Sequence, residues 1–235
     1  MKALLLLLLI TQSLFAEKSI ELFVALCDNK TQGIAPVGAK IGNGDDAANN
    51  LYWGCSDGTR SYFSRSKKWT RESISQPKVS HILETLTFKH KATNTVLTAH
   101  AYRGSEMKIC LQDYFQALKT GGPDKLIAFI GHNGLMDTQP EIPEVDEKDL
   151  SQTPTIILCC ISDRFFKPHL SKYKAKPLLL TNQLMYPGAF ILHDAIEVWL
   201  KNGEPRQYLE AAGKAYASNQ KLSSKSAQKI FVAED

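Results

Sequence analysis

Cys160 and His132 are the two positions whose side chains, taken together, suggest a reaction. A cysteine nucleophile needs a thiolate, a proton donor for the leaving group, and hydrogen-bond donors aimed at the developing oxyanion. Cys160 would supply the sulfur and His132 the proton. Asn133 and Gly134 follow the histidine and would serve the oxyanion or position the pair, since glycine lets backbone N–H groups approach closely. Cys160 leaves an apolar run at the start of a helical turn, and the free N–H groups of such a turn favour a thiolate. Asp28 and Asn182 also stand just past apolar runs and could line a substrate pocket. The opposing reading is packing, because adjacent cysteines on a buried strand are usually core residues. A zinc site from Cys159, Cys160 and His132 lacks a CxxC spacing or a second histidine pair, so no metal is expected. His81, His90, His100, His169 and His193 have no comparable context and read as structural or surface residues.

The elements around these residues alternate in type. Short apolar runs at 20–27, 125–130, 155–158 and 177–180 read as buried strands. Residues 81–103 read as a β-hairpin around a polar Lys89–Asn94 turn. Met107–Lys119 carries a helical apolar stripe closed by Gly121-Gly122-Pro123, and further amphipathic helices are expected at about 188–201 and 204–220. The 33–50 stretch has loop composition, and 49–66 looks helical. Asn49–Gly54, rich in amides and aromatics, is either an Asn-capped helix start or part of the cleft lining. The expectation is an α/β domain with a mostly parallel sheet, helices on both faces and a β-hairpin insertion around 81–103. In such sheets reacting groups gather beyond the carboxyl ends of the strands, where Asp28, His132, Cys160 and Asn182 all fall.

Residues 1–16 read as an export leader: Lys2, an unbroken apolar run from Leu4 to Ile10, and Ala16 before the cut. The rest of the 235-residue chain suffices for one domain over 17–235. If the chain is bacterial, its destination is the periplasm or the outside. No later segment is long and apolar enough for a membrane helix. The net charge of +4 is modest, and its densest basic cluster, Arg65–Arg71, reads as a solvated helix end without a nucleic-acid motif. Five cysteines leave at least one thiol unpaired, and a Cys27–Cys55 disulfide is one option. Asp137–Gln152 holds six carboxylates against one lysine and reads as a solvated connector or as a flap beside the cleft. The absence of a glycine-rich phosphate loop argues against a nucleotide, and no cofactor is expected.

Gly131-His132-Asn133-Gly134 and the later Leu158-Cys159-Cys160-Ile161-Ser162-Asp163 together resemble the caspase–hemoglobinase superfamily of cysteine peptidases, which includes caspases, metacaspases, legumains and gingipains. There one strand ends in His-Gly and a later one in a small or acidic residue followed by the catalytic cysteine. The spacing puts Cys160, not Cys159, at the nucleophile position. The first strand, His strand, Cys strand and following strand keep the family order over roughly 20–200. The resemblance implies an exported peptidase that cleaves a peptide or protein substrate through an acyl-enzyme, with Cys160 as nucleophile and His132 as general acid/base. Asn133 replaces the usual glycine, Asp163 stands where metacaspases have glycine, and Leu158 replaces the acidic residue that selects basic substrates, so basic specificity is not implied. The alternatives are a caspase-like module that binds without turnover, and a flavodoxin-like ligand-binding domain.

Overall fold

The strands that carry the candidate residues are apolar on both sides, and each has a helix layer on either side to receive them. In β1 (Ser19–Ala25), Leu22 and Val24 enter one core while Phe23 and Ala25 enter the other. The same alternation holds for Leu126, Ala128 and Ile130 against Ile127 and Phe129 in β5 (Lys125–Ile130). It holds again for Ile156 and Leu158 against Ile157 in β6 (Pro154–Leu158). Period-two alternation with both faces apolar is the signature of a strand covered on both sides. These features come from a computed structural model, which describes residues 17–146 and 152–233; the expected leader lies outside them.

The sheet has eight strands in the order β2-β3-β4-β1-β5-β6-β7-β8. Besides those above they are β2 (Trp69–Ser75), β3 (Ile82–His90), β4 (Val96–Tyr102), β7 (Lys176–Thr181) and β8 (Phe231–Val232). The five central strands, β4-β1-β5-β6-β7, run parallel. β2, β3 and β8 are antiparallel to their neighbours at the two edges. Helices α1 (Thr59–Arg65), α4 (Ala189–Leu200), α5 (Pro205–Gln220) and α6 (Ser224–Gln228) bury residues in one core, including Phe63, Ile191, Tyr216 and Ala227. Helices α2 (Met107–Thr120) and α3 (Ser162–Lys172) cover the other face, where Tyr114, Phe115 and Phe166 pack with Phe129. The expected α/β architecture with helices on both faces is therefore present.

Three local expectations change. The 81–103 hairpin forms, with Asn94 taking the left-handed conformation in its turn, but its second strand is no appendage: β4 lies parallel beside β1, inside the sheet. The 49–66 helix is reduced to α1. Asn50 Oδ1 accepts from the Cys27 and Tyr52 N–H groups at 3.0 and 3.1 Å, and these side-chain bonds compete with a helical backbone. β2 was not expected, because beyond Trp69 its side chains are exposed on both faces and leave no apolar period to read. The basic cluster spans the end of α1 and the start of β2, with Lys68 paired to Glu197 at 2.8 Å.

Residues 137–146 pack along the α2–α3 face. Ile142 and Val145 rest on that core, Lys119 Nζ donates to the Glu144 carbonyl at 2.7 Å, and the Tyr173 hydroxyl donates to the Pro143 carbonyl. The residues of this part of the acidic segment are half-buried or exposed, and residues 147–151 lie outside those described. Among the described residues no helix is long and apolar enough to cross a membrane.

Candidate active site

His132 and Cys160 follow the carboxyl ends of β5 and β6, which are adjacent and parallel with Ile130 opposite Leu158. Gly131 turns the chain out of β5 at a φ of +154°, a conformation that suits glycine, while its N–H stays on the Leu158 carbonyl at 3.2 Å. The next residues tie the two strand ends together: the fully buried Asn133 donates from Nδ2 to the Cys160 carbonyl at 2.6 Å. Its Oδ1 accepts from the Leu135 N–H at 3.2 Å, opening the short 3-10 turn Gly134–Met136. Of the two roles expected for Asn133, positioning is the one its bonds serve. Gly134 is held by packing, since a Cβ there would stand 2.3 Å from Met107 Cγ.

At the end of β6 the two cysteines part. Cys159 is fully buried among α2 and α3 side chains, and burial pushes its thiol well above the ordinary range. Cys160 is partly exposed. Cys159 belongs to the α2–α3 core, and Cys160 does not. The Met185 N–H donates to the Cys160 sulfur at 3.5 Å, and the thiol faces the Met185 carbonyl at 3.6 Å. Ile161, directly after Cys160, sits at φ 51° and ψ 42°, a left-handed conformation rare for a β-branched residue. Such strain persists only where surrounding contacts enforce it, and it clusters at functional sites. The expectation of free N–H groups at this turn is corrected in part: Ile161 donates to the Gln183 carbonyl at 3.0 Å and Ser162 to Thr181 Oγ1 at 3.1 Å.

His132 is nearly buried, at 7% exposure, and its Nε2 meets Asp137 Oδ2. No hydrogen bond joins its imidazole to the Cys160 thiol. Sequence reasoning missed two neighbours, Asp137 and Met185. Burial pushes the Tyr52 phenol well above its ordinary value, with charge on Cys27 and Cys160 acting in the same direction, and its side-chain hydrogen bond is to Cys27. Asp137 was hidden by its place in an acidic run.

The two pocket expectations fare differently. Asp28 is turned into its own loop, accepting from the Lys30 N–H at 3.0 Å and the Thr31 hydroxyl at 2.7 Å, so it staples that loop and does not line a pocket. Asn182 is exposed at the end of β7, with its N–H on the Ile230 carbonyl at 2.9 Å. All five cysteines are free thiols, so the Cys27–Cys55 bridge is not formed, and burial pushes Cys27 up to about 11. The other histidines make local contacts away from the pair: His81 stacks on Tyr102, His90 pairs with Glu197, His100 with Glu21, His193 with Ser66 and Asp194, and His169 edges Phe115. Comparison with known proteins brings no matching family model, no matching curated protein and no matching solved structure.

Proposed function

We propose that this chain is an exported, caspase-like cysteine peptidase in which Cys160 attacks a peptide carbonyl and His132 moves the proton. The observation that carries the reading is the pair of neighbouring parallel strand ends, clasped by the Asn133–Cys160 bond, that leave Cys160 accessible and Cys159 buried. The order of first strand, His strand, Cys strand and following strand supports it, as these lie side by side as β1-β5-β6-β7. The strained turn after Cys160 and the Met185 N–H directed at its sulfur are the furniture a nucleophile needs. Met136 and Leu184, exposed on the loops after β5 and β7, offer apolar contacts to a bound peptide.

In the proposed reaction the Cys160 proton passes to His132 and the Sγ–C bond forms. The peptide C–N bond then breaks as His132 protonates the leaving amine, and water hydrolyses the thioester. The test is alkylation with iodoacetamide at neutral pH, mapped by peptide mass spectrometry, together with cleavage of a diverse peptide mixture. Cys160 should be labelled first of the five thiols, and Cys160→Ala and His132→Ala should each abolish cleavage while leaving the fold intact. Cleavage that survives Cys160→Ala would overturn the assignment. A slow Cys160 without cleavage would favour the binding module. Export predicts a mature chain beginning near Glu17, checked by intact mass of the exported fraction.

A further inference from the structure

We infer that Asp137 is a positioning residue that holds His132 as its Nε2–H tautomer, so that Nδ1 is the nitrogen that exchanges a proton with Cys160. The inference rests on the peptidase reading for the partner of Nδ1, but its geometry stands on its own. Asp137 Oδ2 receives two groups, the His132 Nε2 and the Gly33 N–H, the latter at 2.7 Å. A backbone N–H can only donate, so the oxygen that meets it is an acceptor, and the imidazole nitrogen sharing that oxygen must carry its proton. A neutral imidazole has one N–H, which leaves Nδ1 with the lone pair.

The contact is built into the chain from two directions. Asp137 follows the 3-10 turn that Asn133 opens, five residues after the histidine, so the turn that clasps Cys160 also delivers the carboxylate. From the other side, the 29–44 loop approaches at Gly33, where a Cβ would lie 2.7 and 2.9 Å from the two carboxylate oxygens. Having no side chain, Gly33 brings its N–H to Oδ2 without displacing the carboxylate. When Cys160 gives its proton to Nδ1, the ring becomes an imidazolium whose second N–H remains on Asp137, and the carboxylate faces the new positive charge. The proton returns from Nδ1 to the leaving amine, and Asp137 neither gains nor loses one in the cycle.

The experiment records long-range ¹H–¹⁵N correlations of the uniformly labelled full chain, with the His132 signals identified by their loss in His132→Gln. It is paired with the rate of Cys160 alkylation by iodoacetamide in wild type, Asp137→Ala and Asp137→Asn. The expected result is a wild-type ring with Nε2 in the protonated range and Nδ1 in the lone-pair range. Asp137→Ala should lose that pure tautomer and slow alkylation by roughly tenfold or more, a fraction of what a general base supplies. Asp137→Asn keeps an oxygen acceptor and should retain more of the tautomer than alanine does. A wild-type Nδ1–H tautomer, or a tautomer and alkylation rate both unchanged in a folded Asp137→Ala, would overturn the inference. A Cys160 that is inert in wild type would instead sink the peptidase reading, while the tautomer measurement still decides the role of Asp137.

Discussion

Asn133 is the side chain that ties the ends of β5 and β6 together. It is fully buried and bonds to the Cys160 carbonyl and the Leu135 N–H, so it fixes the separation of the two strand ends and starts the turn that carries Asp137. Asn133→Ala should remove the part-buried bond to the Cys160 carbonyl and cost about 0.5–1.5 kcal/mol of stability, measured by urea unfolding. It should also slow Cys160 alkylation, because the sulfur's position depends on that clasp; an unchanged rate would confine Asn133 to a structural role. Cys159 makes the opposite case. It precedes Cys160 by one residue just past the end of β6, yet it is fully buried while Cys160 is partly exposed.

At the level of elements, the parallel centre of the sheet is braced across three strands by one carboxylate. Glu21 of β1 meets His100 of β4 at 3.6 Å and Lys125 of β5 at 2.6 Å. The hydrogen bond from His100 and the contacts from Lys125 outweigh burial and bring its carboxyl down from 4.5 to about 2. A depressed folded value means that the stabilisation is fully present above the unfolded value of 4.5 and is lost as pH falls from there toward 2. The urea midpoint of the wild type should therefore drop across that window, and Glu21→Gln should flatten part of the drop. An equal drop in the variant would assign the acid sensitivity to other carboxylates.

For the whole molecule, the two cores share one sheet, so a deletion at its centre should be felt throughout. Phe129 of β5 is fully buried with its ring 6.0 Å from Tyr114 and 5.9 Å from Phe166, joining α2, β5 and α3. Phe129→Ala should cost about 3–5 kcal/mol, read from urea unfolding, because the cavity cannot collapse between a rigid sheet and two helices. Since His132 follows the end of β5 by two residues, the same variant should loosen the site, seen as slower Cys160 alkylation well below the unfolding midpoint.

The central strands, helices α2, α4 and α5, and the placing of His132 and Cys160 at strand ends were legible because their information is local. An apolar run of strand length with glycine or asparagine after it reads the same in any context. Cys159 reads as the core thiol and Cys160 as the site thiol, and the first is fully buried and the second partly exposed just past the end of β6 at Leu158. Tertiary structure decided what depends on partners distant in sequence. The β2 edge strand is held by its ladder to β3 with no apolar face to announce it. Asp28 and Asp137 look alike in sequence, yet the first carboxylate binds its own loop while the second meets His132 and Gly33, 104 residues away. Hydrogen-bond partners are chosen by where the chain brings donors together, and no spacing along the sequence records that choice.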